Sequence, residues 1–246
     1  MKNITAVILA AGKGTRLKSK NKNKVVRKIN HKPMICYTVD LLKNLGLKEI
    51  IVVVGFKKSS VINTLGNNYT YVVQNKILGT GHALKTALPA ISKSTKNILV
   101  LQGDDTAFYD SKDIKAVIAT HTKTKADMTI LTVIKKDPNR LGRIIRDKNN
   151  QVKAIVEFKN ANHQQKQIKE INTATYCFNH RFLKKYLKTI KKNPISKEYY
   201  LTDLLEIAIK HQKKVSAIKL KDSSKFQGIN TLEELKISNR KMKNLA

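Results

Sequence analysis

Strand-length apolar runs alternate with stretches of helical period along the first 110 residues of the chain. The strand-like runs cover residues 4–10, 49–54, 69–73 and 97–103. Apolar positions recur at helical spacing in the intervening stretches, over residues 34–45, 57–65 and 81–88. Because strands and helices alternate in this way, the pattern predicts an α/β fold with a mostly parallel sheet and right-handed crossovers.

The pattern changes after a further predicted helix over residues 111–123. Strand-like runs then follow one another and predict a mixed or antiparallel extension of the sheet, at residues 128–134, 143–146, 152–158 and 168–178. Helices are predicted near the end of the chain, at residues 181–192, 199–210 and 231–241. No internal repeat or long linker interrupts the sequence, so we expect a single Rossmann-like domain over residues 1–246, with halves 1–110 and 111–246 and helices on both faces of the sheet.

A short loop with two glycines and two cations follows the first predicted strand. Gly12 and Gly14 let the backbone approach a polyphosphate and turn N–H groups towards it, while Lys13 and Arg16 supply cationic donors. The dinucleotide fingerprint G-x-G-x-x-G is absent because Leu17 occupies its third glycine position, and the chain has no Walker A string. Taken alone, the loop predicts either a structural turn or a phosphate site of another kind at the carboxyl edge of the sheet, and the rest of the chain decides between them.

The strongly positive charge raises nucleic-acid binding as an alternative. Lys and Arg number 49 against 17 Asp and Glu, which gives a formal net charge of +32. The lysines are spread along nearly the whole chain, and aromatic residues make up only 6% with no Trp, so no stacking platform is interleaved with the cations. We therefore interpret the lysines as solvated faces and expect no specific nucleic-acid partner, while a polyanion-binding role stays open.

Composition also bears on location and redox state. The apolar runs are too short to cross a membrane and the N-terminus lacks a signal-peptide pattern, so we expect a cytoplasmic protein with no membrane partner. The 41% hydrophobic content of the 246 residues is sufficient for a large core. Cys36 and Cys177 are too few and too far apart for a disulfide framework or a zinc site, and they predict buried thiols.

Several short motifs occur in the order typical of one enzyme family. They are Ala10 to Leu17, Lys24 to Val26, His31 to Met34, Gln74 with Leu78 to Ala83, Gly103-Asp104, Gly142 to Ile144, Ile155 to Lys159, Glu170 to Thr173, Glu198 to Asp203, and Gly228 to Asn230. On these motifs the sequence resembles the sugar-nucleotide pyrophosphorylases, and among them the uridylyltransferase domain of the bacterial N-acetylglucosamine-1-phosphate uridyltransferases, over nearly its entire length. We find no hexapeptide repeats of a β-helix acetyltransferase domain, so acetyl transfer is not expected, and the oligomeric state stays open.

The resemblance implies a reaction and a fold. The reaction is Mg²⁺-dependent transfer of UMP from UTP to N-acetylglucosamine 1-phosphate, which gives UDP-N-acetylglucosamine and pyrophosphate. The fold is that of the nucleotide-diphospho-sugar transferases, with a nucleotide-binding first half and a sugar-binding second half. Two rival functions stay open: nucleotidyl transfer to another sugar or alcohol phosphate, including a close isomer, and non-catalytic binding of nucleotides or polyanions.

The resemblance also implies roles for individual residues. Arg16 and Lys24 are the implied catalytic cations, although Lys22 takes the place of Lys24 if the register of this lysine-rich segment is shifted. Asp104 and Asn230 are the implied Mg²⁺ ligands, in keeping with the preference of this ion for few protein ligands plus phosphate oxygens and water. The implied nucleotide-binding residues are Ala10, Ala11, Gly12, Lys13, Gly14, Gln74, Gly79 and Thr80, and the implied sugar-binding residues are Gly142, Glu157, Asn172, Tyr200 and Thr202.

Three polar positions have a second interpretation. Asp105 either adds a second carboxylate beside the metal site or caps the helix that begins near Ser111. Thr80 either reads the base or caps the helix that follows it, and the two roles can coexist. His82 is predicted to pack near this helix start, because a phosphate monoester is already anionic and needs no general base.

Overall fold

The computed structural model of the protein describes residues 3–138 and 140–245. A mixed sheet forms its centre, and a two-stranded hairpin lies apart from this sheet. The strands are β1 (Ile4–Ala10), β2 (Lys28–Ile29), β3 (Lys32–Pro33), β4 (Glu49–Val54), β5 (Thr70–Val73), β6 (Asn97–Gln102), β7 (Met128–Ile134), β8 (Arg143–Arg146), β9 (Val152–Val156), β10 (Glu170–Asn179) and β11 (Val215–Lys219).

Helices pack on both faces of the sheet, as the sequence pattern predicts. They are α1 (Met34–Asn44), α2 (Lys58–Leu65), α3 (Thr80–Ala87), α4 (Ser111–Thr124), α5 (His163–Gln167), α6 (His180–Tyr186), α7 (Asp203–Lys210) and α8 (Leu232–Lys243). Helices α1, α2 and α4 contribute to one hydrophobic cluster, and α3, α6 and α7 contribute to a second. The predicted fold class is therefore confirmed.

Strand β1 shows why its apolar run is unbroken. Ala6, Ile8 and Ala10 belong to the first cluster, whereas Val7 and Leu9 belong to the second. Alternate side chains of a strand point to opposite faces, so a strand covered on both sides buries both sets, and every position from Ala6 to Ala10 is apolar. The loop at the end of β1 thus extends from the most deeply buried part of the fold.

The order of the strands creates a crevice at one edge of the sheet. The main order is β11-β7-β10-β6-β1-β4-β5, in which β6, β1, β4 and β5 are parallel and β10 runs antiparallel to both of its neighbours. After β1 the chain builds β4 and β5 on one side and then returns to form β6 on the other side. The loops that leave β1 and β6 therefore diverge, and a ligand crevice forms at such a switch point. The β8–β9 hairpin attaches to β10 and extends the sheet beyond the parallel strands.

Two predicted helices have different ends in the structure. The helix predicted over residues 199–210 begins only at Asp203, because the backbone of Tyr199 is already bonded elsewhere. Its N–H donates to the carbonyl of Leu78 at 2.8 Å, and its own carbonyl accepts from the N–H of Gly81 at 2.9 Å. The helix predicted over residues 181–192 ends at Tyr186 and is followed by a 3₁₀ turn.

Some smaller features also differ from the sequence-based expectation. Edge strand β11 pairs in parallel with β7 but is not predicted, since its five residues are isolated between lysine-rich segments. Cys177 is buried as expected, whereas Cys36 is only half-buried on α1. Among residues 3–138 and 140–245, no helix combines the length and apolarity that a membrane crossing requires.

Candidate active site

A cavity of about 580 Å³ opens at the carboxyl ends of β1 and β6. Most of the residues expected at a nucleotide and sugar site line it together, although they come from distant parts of the sequence. These lining residues are Ala10, Ala11, Gly12, Lys13, Gly14, Arg16, Lys24, Gln74, Gly79, Thr80, Glu157, Asn172, Tyr200 and Thr202. Of the expected residues, Gly142, Asp104 and Asn230 are not part of the lining.

The loop after β1 presents backbone amides to this cavity. Among the residues that the structure describes, no group accepts a hydrogen bond from the N–H of Gly12, Lys13 or Gly14. Gly14 has a φ of 62°, and a Cβ at this position would lie 2.5 Å from Cβ of Lys24. Both the conformation and the space therefore require glycine. Adjacent unpaired N–H groups of this kind form a concave site for anions.

Asn23, for which the sequence predicts no role, holds the loop in place. Its side chain is fully buried, and Nδ2 donates to the carbonyls of Ala10 at 2.9 Å and Phe56 at 2.8 Å. Its Oδ1 accepts from the N–H of Val25 at 3.1 Å and so caps the 3₁₀ turn that contains Lys24. One amide therefore positions both the phosphate loop and the neighbouring lysine.

Lys24 and Asp104 connect the loops that follow β1 and β6. The Lys24 ammonium forms an ion pair with the buried Asp104 carboxylate, and its aliphatic chain packs over Gly14. Lys22 is exposed and does not line the cavity. The structure therefore places Lys24, and not the alternative Lys22, where a catalytic cation is expected.

Asn230 approaches the same loop from the C-terminal part of the chain. Its Oδ1 accepts a hydrogen bond from Nη2 of Arg16 at 3.1 Å. The segment before Asn230 is fixed by Lys135, whose ammonium donates to the carbonyls of Ser223 and Phe226 at 3.2 Å each. Burial lowers the pKa of Lys135. The two expected metal ligands thus each contact one of the two expected catalytic cations.

Asp105 does not cap helix α4, while its other expected role, as a second carboxylate beside the metal site, stays a prediction. Helix α4 is capped by Asp110, whose side chain accepts from the N–H groups of Lys112 and Asp113. Asp105 is instead buried, and its Oδ1 has no hydrogen-bond partner in the described part of the chain. Burial, and then the charge of Asp104, raise the pKa of the Asp105 carboxyl well above its usual value.

The loop before α3 forms the opposite side of the nucleotide end. The buried Gln74 Nε2 lies 3.1 Å from the carbonyl oxygen of Gly79 and 2.9 Å from Nδ1 of His82. His82 is therefore a hydrogen-bonded neighbour of Gln74, as expected. Thr80 does not cap the helix, because its hydroxyl accepts from the N–H of Leu201 at 3.0 Å and joins this loop to the segment before α7.

The end of the cavity where sugar-binding residues are expected contains a carboxylate in a poorly solvated position. Burial raises the pKa of Glu157, and a hydrogen bond with the side chain of Thr202 partly opposes this shift. Gly142 lies directly beside it, since a Cβ on this glycine would be 3.6 Å from either carboxylate oxygen of Glu157. The carbonyl of Gly142 also accepts from the N–H of Asn172 at 2.9 Å. Gly142 therefore acts here through its small size and its backbone.

Strand β10 is irregular where it borders the cavity. Its pairing with β7 shifts between Asn172 and Tyr176, and Ala174 has a φ of 57°. The N–H of Ala174 donates to Oδ1 of Asn172 at 3.0 Å, and Nδ2 of Asn172 donates to the Tyr176 hydroxyl at 2.6 Å. The bulge thus turns the Asn172 amide towards the ligand space.

Several lining residues have no role in the sequence analysis: Leu9, Thr15, Ile77, Ala83, Gln102, Ala174, Tyr176, Glu198 and Leu201. Tyr176 is the clearest case, because a tyrosine in an apolar strand is typical of a core residue. In the sequence, only its position four residues after Asn172, a predicted sugar-binding residue on the same strand, indicates that Tyr176 lies near the site. Only the bulge places both side chains at the cavity.

The fold and the site together define a nucleotidyl transferase. Residues 5–225 match the Nucleotidyl transferase family, and the chain belongs to this family. It is 43% identical to the bifunctional protein GlmU of Acetivibrio thermocellus over 235 residues, which are 96% of this chain and 50% of that protein. It is 38% identical to the bifunctional protein GlmU of Carboxydothermus hydrogenoformans over 229 residues, 93% of this chain and 50% of the relative. The chain therefore spans about half the length of these curated relatives.

A solved structure has the same fold. The apo form of a UDP-glucose pyrophosphorylase superposes with a TM-score of 0.79 and covers 99% of this chain and 100% of that chain. Its sequence identity is only 20%. This similarity confirms the nucleotide-diphospho-sugar transferase architecture and does not bear on the substrate.

Proposed function

We propose that this protein transfers UMP from UTP to N-acetylglucosamine 1-phosphate in a Mg²⁺-dependent reaction, which forms UDP-N-acetylglucosamine and pyrophosphate. The observation that carries this proposal is that the loop amides and two cations converge at one end of the cavity, where Lys24 contacts Asp104 and Arg16 contacts Asn230. The family membership and the resemblance to uridylyltransferase domains support the same reaction class.

The phosphate end supplies positioning and charge. The amides of Gly12 to Gly14 hold phosphate oxygens of UTP, and Arg16 and Lys24 neutralise the charge that increases on the α-phosphate as it becomes pentacoordinate. An oxygen of the sugar phosphate is itself the nucleophile, so no side-chain nucleophile is required, and pyrophosphate leaves in line with it. The Lys24 ammonium has three N–H donors, so it can contact a phosphate in addition to Asp104.

The Asp104 carboxylate fits a divalent cation. Asp104 and Asn230 would hold Mg²⁺, because one carboxylate and one amide oxygen, supplemented by phosphate oxygens and water, match its preference for oxygen ligands. When bound, the ion would supply positive charge at the phosphate oxygens. Asp104 contacts Lys24 and Asn230 contacts Arg16, and both cations line the same end of the cavity, which supports the use of both ligands at one triphosphate.

Base selection rests on the orientation of the Gln74 amide. Because Nε2 is directed at Gly79 and His82, Oε1 is the atom left to accept the imino N–H of a uracil ring. Cytosine has an unprotonated nitrogen at that position, so two acceptors would face each other and the site would reject it. Thymine presents the same edge as uracil, so this contact does not exclude dTTP.

Sugar selection rests on Glu157 and Asn172. The Glu157 carboxylate accepts hydrogen bonds from sugar hydroxyls, and Asn172 has one Nδ2 proton beyond the one it donates to Tyr176. Gly142, Tyr200 and Thr202 complete this end of the site.

A substrate panel tests the proposal. Pyrophosphate release is measured with UTP, CTP, dTTP and GTP, each paired with several sugar phosphates, in Mg²⁺ and in EDTA. We expect turnover with UTP and N-acetylglucosamine 1-phosphate that EDTA abolishes, and loss of most of the rate in Asp104→Ala with the fold intact. Absence of turnover with every pair refutes the proposal, and salt-dependent RNA binding in that case favours the polyanion alternative.

A further inference from the structure

The hydroxyl of Tyr176 borders the cavity, and within the described part of the chain its proton has no hydrogen-bond acceptor. The orientation of the neighbouring amide establishes this. Because the N–H of Ala174 donates to Oδ1 of Asn172, the other amide atom, Nδ2, is the one that lies 2.6 Å from the Tyr176 oxygen. Nδ2 can only donate, so the phenol oxygen is the acceptor.

The phenol proton must then point elsewhere. Among residues 3–138 and 140–245, no side chain or backbone oxygen accepts it. Tyr176 is only 1% exposed, yet it borders the cavity. A buried donor without an acceptor is unfavourable, so the empty site favours a ligand that supplies an acceptor oxygen at this point.

The surroundings indicate which part of the ligand this is. Asn172 and Ala174, which orient the phenol, belong to the bulge of β10, and Glu157 is near enough for its charge to affect Tyr176. Burial is the main reason that the pKa of Tyr176 is far above its usual value, so the hydroxyl remains a proton donor at any working pH. The phosphate-binding loop belongs to β1 and supplies its own donors. The unpartnered proton thus lies with the sugar-binding residues.

We propose that the Tyr176 hydroxyl donates a hydrogen bond to a hydroxyl or acyl oxygen of the sugar phosphate and is a specificity-determining residue of the reaction. The inference rests on the function proposed above. With the carboxylate of Glu157 as acceptor and Tyr176 and Asn172 as donors, the site matches a sugar that offers both hydroxyl protons and oxygen lone pairs.

Tyr176→Phe removes only the hydroxyl, and Tyr186→Phe is the matched control. Tyr186 is also a buried phenol, but it packs against Phe182 and His211 and does not line the cavity. We expect Tyr176→Phe to lower kcat/KM for the sugar phosphate about 10-fold or more, mainly through KM, because both the ligand and Asn172 lose a partner. The KM for UTP should change less than about twofold, and Tyr186→Phe should behave as the wild type.

Sugar phosphates that lack single oxygens separate direct contact from an effect through Asn172. The panel comprises the 3-, 4- and 6-deoxy analogues and the analogue without the acetyl group, each tested with both proteins. If Tyr176 donates to the sugar, the analogue that lacks the accepting oxygen has a kcat/KM about tenfold below that of the full substrate on the wild type. For this analogue alone, Tyr176→Phe lowers kcat/KM little further. If the variant loses the same factor with every analogue, Tyr176 only positions Asn172 and the inference is overturned.

Three further outcomes are decisive. If every analogue lies within twofold of the full substrate on the wild-type enzyme, no single sugar oxygen is recognised and the inference fails, whether or not the variant folds. If the wild type turns over normally and Tyr176→Phe keeps its kcat/KM, only this inference fails. If the wild type releases no pyrophosphate with any pair, the proposed function fails first and the inference with it.

Discussion

Replacement of Asn23 by alanine should destabilise the protein and impair nucleotide use together. The side chain makes four hydrogen-bond contacts: Nδ2 with three backbone carbonyls at 2.9, 3.3 and 2.8 Å, and Oδ1 with one backbone N–H at 3.1 Å. None of the amide is exposed. The variant therefore leaves several backbone groups of the phosphate loop without a partner.

The expected magnitude follows from these contacts. A buried hydrogen bond contributes about 0.5–1.5 kcal/mol net, and a buried polar group left unpaired costs about 1–3 kcal/mol. Because water can reach some of the released carbonyls through the cavity, we expect the free energy of unfolding to fall by roughly 2–4 kcal/mol. For a chain of this length the Tm should fall by roughly 5–15 °C. The kcat/KM for UTP should fall by at least about tenfold, since the amides and Lys24 lose their alignment.

Urea unfolding and steady-state pyrophosphate release measure the two effects. Asn160→Ala is the control, because Asn160 is exposed and should change stability by less than about 0.5 kcal/mol. Asn23→Asp distinguishes the two ends of the amide. It keeps the acceptor for Val25 but faces carbonyl oxygens with a carboxylate, so it should be at least as destabilising as alanine. Stability of Asn23→Ala within about 1 kcal/mol of the wild type would show that other contacts hold the loop.

Three further predictions concern other parts of the structure. Lys24→Met should lower kcat by about 10²-fold or more while Lys22→Met stays within twofold in the same assay, and equal losses would contradict the assignment of the catalytic lysine. Ala174→Gly should raise the free energy of unfolding, measured in urea, by about 0.5–1 kcal/mol, because glycine adopts the left-handed conformation of this residue without strain. Ala217→Gly in β11 should lower the free energy of unfolding, and a decrease at both positions would contradict the strain at Ala174. Burial alone would raise the pKa of Glu170, but its hydrogen bonds and the neighbouring cations outweigh burial and lower this pKa. The ionised Glu170 therefore stabilises the protein fully above the unfolded-state pKa near 4.5, and this stabilisation disappears as the pH falls through the lower folded-state pKa. Glu170→Gln should accordingly be less stable by about 1–3 kcal/mol at pH 7, with a gap to the wild type that narrows in acid, and a gap independent of pH would disprove this account.

The sequence alone predicts the elements whose structure follows from a local pattern of residues. Strand β1 has a continuous apolar run because both of its sides are covered, and β4 and β7 are predicted with their observed bounds for the same reason. The loop of Gly12 and Gly14 is equally visible, since two glycines directly after a buried strand indicate either a structural turn or a phosphate site. These signals are local, and local periodicity and backbone freedom are properties of the chain itself.

Only the tertiary structure decides features that depend on a partner distant in sequence. Residues near 199 have helical periodicity, yet Tyr199 is bonded to Leu78 and Gly81, which no local pattern reveals. Asn23 looks like a polar loop residue until the carbonyls around it are brought together. Tyr176 resembles an ordinary core tyrosine until the bulge at Ala174 turns Asn172 onto its hydroxyl. The sequence thus determined which residues are available for phosphate and sugar chemistry, whereas the pairing of buried donors with acceptors, a property of the folded arrangement, decided which of them face the ligand.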